Sequence, residues 1–181
     1  MHDRWYYFLS IEKDFIGTIE YVALDEGNEN CFSNEYAKLL LLIGSEVDVV
    51  AKMLCEQEAP DALRRNIIDY KAALMGRFVG FHSVEIDVPR YDRHIKPWVS
   101  WGLQNAEAPT WWRAYNSVKH DRNTAFALAS QKNVLQALCG WLVLLLYFHR
   151  AEGHLQPYPE LLNYGFPSYI VTDGGKALPG A

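Results

Sequence analysis

The sequence lacks the residue patterns that most often mark a cofactor or a catalytic nucleophile. Its three cysteines, Cys31, Cys55 and Cys139, stand far apart and form no Cys-x-x-Cys pair, so neither a zinc cluster nor a redox disulfide is expected. The chain contains no glycine-rich phosphate loop and no Gly-x-Ser-x-Gly element. We therefore predict reduced thiols in a cytoplasmic protein, with no metal and no cofactor.

An excess of positive charge and a long apolar run are also missing. Seventeen basic and 22 acidic residues leave a net charge of −5, which excludes a protein that coats nucleic acid but leaves room for a local basic pocket. The longest apolar run, CGWLVLLLYF at 139–148, has ten residues, whereas a bilayer span needs about 20. The first residues lack the basic start and apolar segment of a signal peptide. We expect a buried helix at 139–148, no membrane span and no secretory leader.

The composition that is present belongs to a globular protein. Half of the 181 residues are hydrophobic and 14% are aromatic, which predicts a single domain over 1–181 with a sizeable core. Apolar spacings of three and four predict an all-α fold, a bundle of about four or five principal helices. We place the core at about 10–152 and an irregular segment at 153–181, in which SYIVT at 168–172 is a candidate short strand and the last eight residues form a loose tail.

Capping residues and helix breakers set the expected helix bounds. The expected bounds are 10–25, 33–56, 61–79, a helix starting near Thr110, and about 130–151. Ser10, Ser33 and Asp61 are the expected caps of the first three, and Pro60 marks the break before the third.

A long connection, residues 80–109, separates the third and fourth helices, and we call it the flap. Connections of this length inside a compact domain are often functional or cover another surface. VEIDV at 84–88 alternates in the manner of a short strand. The tryptophans of the flap are expected to pack on the core rather than to stack on bases. Its histidines, His82 and His94, have no regularly spaced ligand partner, so we assign them no metal.

The stretch WWRAYNSVKHDR at 111–122 is the most informative part of the sequence. At 100° per residue, Arg113, Asn116 and His120 share a sector of about 60° on the fourth helix, and the apolar residues lie opposite. A guanidinium binds phosphate through two hydrogen bonds, and an imidazole moves protons near neutral pH. This pair suits metal-independent cleavage of RNA. The alternative is that Lys119 and His120 only satisfy the end of the helix.

These residues resemble the motif of the HEPN superfamily, all-α domains of toxin–antitoxin systems, antiviral defence proteins and CRISPR effectors. The hallmark of that family is an arginine followed, after four to six residues, by a histidine on a late helix; here six residues separate Arg113 and His120. The pattern Tyr-Asn-x-x-Lys-His-x-Arg also resembles uncharacterised bacterial HEPN-like proteins. The resemblance implies a metal-independent endoribonuclease that acts as a homodimer on RNA, with an antitoxin or defence protein as partner.

The resemblance also implies a role for each residue of the face. His120 would transfer the proton, Arg113 would stabilise the charge on phosphate, and Asn116 would orient the imidazole or the substrate. Lys119 and Arg122 would make secondary phosphate contacts.

Tyr115 departs from the commonest short form of the motif, in which arginine lies five positions before histidine. Either Arg113 supplies the charge and Tyr115 contacts the substrate, or the chain is a non-catalytic HEPN-like module that binds a nucleotide or a protein. A purely structural helical domain is the third reading. Glu46, beside Gly44 and Ser45, is a further candidate for ligand contact because the small residues allow close approach.

Overall fold

A computed structural model describes residues 3–103, 108–152, 155–164 and 178 of the chain. Its helices are α1 (Asp3–Ile19), α2 (Asn34–Glu58), α3 (Ile67–Arg77), α4 (Thr110–His120), α5 (Arg122–Ala125) and α6 (Gln131–Phe148). Its two strands are β1 (Ile86–Val88) and β2 (Arg93–Ile95), which pair antiparallel. The fold is therefore mostly helical, as predicted, but it is not purely all-α.

The first helix begins earlier than the sequence predicted. Ser10 does not cap it, because Trp5, Phe8 and Phe15 recur at helical spacing and are all 0% exposed. Their burial extends the amphipathic pattern by two turns toward the amino terminus, so the core also begins before residue 10. The helix ends at Ile19 rather than at 25.

Capping explains where the other helices begin. Ser33 caps α2 as predicted, because its hydroxyl accepts a hydrogen bond from the Tyr36 amide at 3.0 Å. The prediction that Asp61 caps the third helix is wrong. Asn66 is the cap, and its Oδ1 accepts from the amides of Ile68 and Asp69 at 2.9 and 3.1 Å. Because Asn66 satisfies two amides of the first turn, α3 starts at Ile67, and residues 61–65 lie outside the helix.

The apolar run at 139–148 lies in α6, at the centre of the fold. Of the residues from Val134 to Tyr147, only Gln136 is not buried, and α2 is the main packing partner of α6. This confirms the buried helix that the run predicted. None of the helices in the described part of the chain combines the length and the apolar character needed to cross a bilayer.

The described part of the flap is integral to the core, and it contains the β-hairpin. Trp98 and Trp101 are 0% and 2% exposed, so they pack on the core as predicted. Trp98 Nε1 donates to the carbonyl of Gly140 in α6 at 3.1 Å, and Trp111 Nε1 donates to the carbonyl of Pro97 at 2.9 Å. These two indole bonds attach the flap to α6 and to α4. Residues 104–107 lie outside the described residues.

A buried carboxylate ties residues 155–164 to α1. Glu12 is only 2% exposed. Its carboxylate accepts hydrogen bonds from the backbone amides of Glu160, Leu161 and Leu162 at 2.9, 3.1 and 3.0 Å. Burial raises the pKa of Glu12, and the three amide donors oppose that shift. This part of the predicted irregular segment is irregular, yet it is held in place. The candidate strand at 168–172 lies outside the described residues.

We predict that Glu12→Ala destabilises the fold by at least about 2 kcal/mol, because three backbone donors lose their acceptor. Urea unfolding gives the free energy, and amide hydrogen exchange at Leu161 and Leu162 should become faster. Asp14→Ala is the control: this carboxylate is exposed on the same helix, and its loss should change stability by less than about 0.5 kcal/mol. Equal effects of the two substitutions would contradict the role of Glu12.

Candidate functional site

Two aromatic rings of α4, those of Tyr115 and Trp111, pack directly against glycines in the interiors of neighbouring helices. A Cβ atom on Gly44 of α2 would lie 2.2 Å from Cδ2 of Tyr115, and a Cβ atom on Gly140 of α6 would lie 2.7 Å from Cζ2 of Trp111. Real Cβ atoms do not approach so closely, so only glycine fits at either position. Because the Tyr115 and Trp111 rings are held on two sides, the rotation of α4 about its own axis is fixed.

This rotation leaves the predicted polar face outward. Arg113 and His120 are exposed and Asn116 is half-buried. The buried residues of the helix are Trp111, Trp112, Ala114, Tyr115 and Val118. The separation of a polar and an apolar face on this helix is therefore confirmed, and the two tryptophans at its start pack rather than face solvent.

The exposed face is the convex side of a helix, not a pocket. His120 lies seven positions after Arg113 along α4, which corresponds to about 10 Å of helix axis. The amide of Asn116 donates to the carbonyl of Trp112, one turn earlier, at 3.2 Å. Two cavities lie elsewhere, one between α1, the turn at 89–91 and residues 158–164, the other beside Glu29 and Lys132. Neither of these cavities is lined by a residue of the α4 face.

Lys119 and Arg122, the predicted secondary phosphate contacts, each contact an aromatic ring near the end of α4. Lys119 extends over the Tyr115 ring, with Nζ 5.4 Å from the ring centroid. Arg122 donates a short hydrogen bond to Oδ1 of Asn34 at the start of α2, and its guanidinium lies 5.1 Å from the centroid of the Phe126 ring. Both side chains thus remain near the carboxyl end of α4, where a phosphate contact would need them.

Tyr115 and Glu46 are not brought to the exposed face. Tyr115 is only 4% exposed and lies about 140° around the helix from His120. Glu46 pairs with Arg4 on α1, with Nη1 and Oε2 3.0 Å apart, and it lies about 200° around α2 from Gly44, which contacts α4. The structure therefore separates both residues from Arg113 and His120.

The charge around α4 is locally positive although the chain is acidic. Between Thr110 and Arg122 the sequence has three basic side chains, Arg113, Lys119 and Arg122, and one carboxylate, Asp121. Hydrogen bonds from Thr124 lower the pKa of Asp121, which caps α5. These basic side chains therefore lie on or next to an exposed helix surface rather than in the basic pocket that the net charge left room for.

Sequence reasoning missed a second polar cluster on the β-hairpin. His94 lies opposite Asp87 in the strand register, with Nδ1 2.6 Å from Oδ1 of Asp87 and 3.7 Å from Oε1 of Glu85. Spacing along the sequence offers His94 no ligand partner, and an exposed or hydrogen-bonded role was expected; the structure shows an imidazole that is both exposed and hydrogen-bonded, to a partner across the hairpin. The alternation of VEIDV indicated that Glu85 and Asp87 share a face, but the register that adds His94 is not readable from spacing.

Comparison of the chain with protein families, with curated proteins and with solved structures found no match.

We predict that Gly44→Ala destabilises the protein by about 2–3 kcal/mol, because overpacking against the Tyr115 ring outweighs the helix-propensity gain of alanine. Gly17→Ala in α1 is the matched control, since no atom lies within 4 Å of its added Cβ. That control should be neutral or stabilising by up to about 1 kcal/mol. Chemical denaturation measures both.

A double variant tests whether the effect comes from this contact. Tyr115→Ala removes the ring that the new methyl group meets, so Gly44→Ala should cost much less in that background. Additive costs in the double variant would show that Gly44 does not seat α4 through Tyr115.

Proposed function

We propose that this chain is a HEPN-like, metal-independent endoribonuclease that acts as a homodimer. The observation that supports the proposal is the joint exposure of Arg113 and His120 on one face of α4, whose other side is buried against α2 and α6. A basic residue and an imidazole on one surface are the minimum that this reaction requires.

The proposed reaction is an internal transfer of the RNA phosphate. The 2′-hydroxyl loses its proton to the imidazole of His120 and attacks the adjacent phosphorus. The bond from phosphorus to the 5′-oxygen breaks, and that oxygen gains a proton from a second imidazole, His120 of the other copy. The products are a 2′,3′-cyclic phosphate and a 5′-hydroxyl, and Arg113 stabilises the charge that develops on the phosphoryl oxygens.

The convex shape of the face is the reason for proposing a dimer. One helix side cannot enclose a phosphate, and Arg113 and His120 stand about 10 Å apart along the axis. A second copy of α4 laid across the first would supply the opposing wall and the second imidazole. Lys119 and Arg122 would then contact neighbouring phosphates, and Asn116 would help to hold the substrate at the middle of the face.

The burial of Tyr115 bears on which position supplies the positive charge that stabilises the phosphate, position 113 or position 115. Position 115 faces Gly44 in the core, and an arginine there would be a charge removed from water, at a cost of several kcal/mol. Arg113 is instead exposed within about 20° of His120 around the helix. This supports Arg113 as the source of positive charge.

We expect purified protein to cleave fluorescently labelled single-stranded RNA in the presence of EDTA. His120→Ala should lower the rate at least about 100-fold, the loss typical of a missing general base, and Arg113→Ala should do the same through lost charge stabilisation. Lys13→Ala, an exposed basic residue on α1, is the control and should keep the full rate. Mass photometry of the same samples reports the dimer. Cleavage that survives His120→Ala, or that requires a divalent metal, would overturn the mechanism.

A non-catalytic binding module is the second candidate. It is favoured by internal bonds already made on the face, since Asn116 donates to Trp112 and Arg122 donates to Asn34. Such a module would bind RNA or nucleotide phosphates on the convex side of α4 without turnover.

For this second candidate we predict salt-dependent binding of RNA with no product. Arg113→Ala should weaken binding about tenfold or more, because one charged phosphate contact is lost. Fluorescence anisotropy at several salt concentrations measures this, and Lys13→Ala again serves as the control. Absence of both binding and cleavage would leave the face as a structural or dimer-forming surface and would reject both candidates.

A further inference from the structure

We propose that the β-hairpin carries a divalent metal site formed by Glu85, Asp87 and His94, and that it takes a zinc-like transition-metal ion. The inference does not depend on the proposed ribonuclease activity, because none of these residues lies on α4.

The positions of the three side chains suit one ion. Glu85 and Asp87 are two residues apart, Glu85 just before β1 and Asp87 within it, and His94 is the cross-strand partner of Asp87. Their potential ligand atoms all lie within 4.8 Å of one another. Nitrogen and oxygen ligands about 2.0–2.2 Å from a tetrahedral zinc ion lie roughly 3.3 Å apart. The observed separations of 2.6 Å, between His94 Nδ1 and Asp87 Oδ1, and 3.7 Å, between His94 Nδ1 and Glu85 Oε1, bracket that value.

The backbone under the site is held on both sides. The alternating residues Ile86 and Val88 are 0% exposed and anchor β1 in the core. β1 pairs with β2 on one side, and on the other Asp87 exchanges two backbone hydrogen bonds with Asn163, at 2.7 and 2.8 Å. The carboxylate of Asp87 therefore projects from a fixed strand, so little ordering would be needed on binding.

The local charge favours a dication. Three carboxylates surround His94, those of Glu85, Asp87 and Asp92, the last with Oδ1 3.9 Å from Nε2. Lys96 is the basic side chain that reaches them, with Nζ 3.4 Å from Oε2 of Glu85. With a neutral imidazole, three negative charges and one positive charge leave −2, which one divalent ion balances.

The donor set selects the kind of ion. An imidazole nitrogen with carboxylate oxygens suits zinc and neighbouring transition metals, whereas magnesium and calcium prefer oxygen ligands alone. Three protein ligands would leave a fourth position for water, the arrangement found in zinc sites that are open to solvent. At 59% exposure the His94 side chain is accessible to an incoming ion.

The test is a titration of the full chain with Zn²⁺ by calorimetry and with Co²⁺ by visible absorption. Cys31 is an exposed thiol and would compete for either ion, so all variants carry Cys31→Ser. We expect one saturable ion per chain and cobalt bands of a four- or five-coordinate site. His94→Ala and Asp87→Asn should each lower the affinity at least tenfold, because each removes one of three ligands.

Two charge variants separate this site from adventitious surface binding. Asp92→Asn removes a nearby carboxylate that is not a proposed ligand and should change the affinity less than threefold. Lys96→Ala removes the cation that competes for Glu85 and should tighten binding. Circular dichroism checks that each variant folds. The proposal is overturned if no saturable binding occurs below about 1 mM, a dissociation constant that corresponds to about −4 kcal/mol, or if His94→Ala binds as tightly as the parent chain.

Discussion

The close approach of the Tyr115 ring to the backbone of Gly44 is the constraint on which the arrangement of α4 depends. Glycine in a helix interior costs roughly 0.5–1 kcal/mol relative to alanine, and here it opens a notch for an aromatic ring. Gly140 does the same for Trp111 on the other side. If α4 rotated about its axis, the Tyr115 and Trp111 rings would both lose their contacts with these glycines. The polar residues of α4 are therefore held in one orientation, facing outward.

Further hydrogen bonds connect α4 and the other helices to the flap and to the carboxyl-terminal segment. The indole of Trp111 donates to the carbonyl of Pro97 in the flap, and the indole of Trp98 in the flap donates to the carbonyl of Gly140 in α6. Glu12 ties residues 160–162 to α1 by accepting their amides. The folded chain then presents two polar surfaces of opposite charge, a basic one at α4 and an acidic one on the hairpin.

The helices show where local sequence was sufficient for prediction and where it was not. Ser33 and the apolar repeat of α2 agreed with each other, and the predicted start holds. At α1 the predicted cap was Ser10, but the burial of Trp5 and Phe8 in the core places the start of the helix before it. At α3 two acceptable caps, Asp61 and Asn66, lay within one stretch, and nothing local ranked them. Only the first strand of the hairpin could be predicted, since VEIDV alternates apolar and polar residues whereas RHI of β2 has no such pattern.

The sequence by itself determined which side chains of α4 share a face, because a helix turns by a constant angle at each residue. It also determined that α6 is buried, because a run without a polar side has no face to offer to water. Only the tertiary structure decided that Tyr115 enters a glycine notch, that Glu46 pairs with Arg4 away from α4, and that His94 meets Asp87 and Glu85. Those contacts join residues far apart along the chain or set by strand register, and spacing along a sequence carries no information about which surfaces meet.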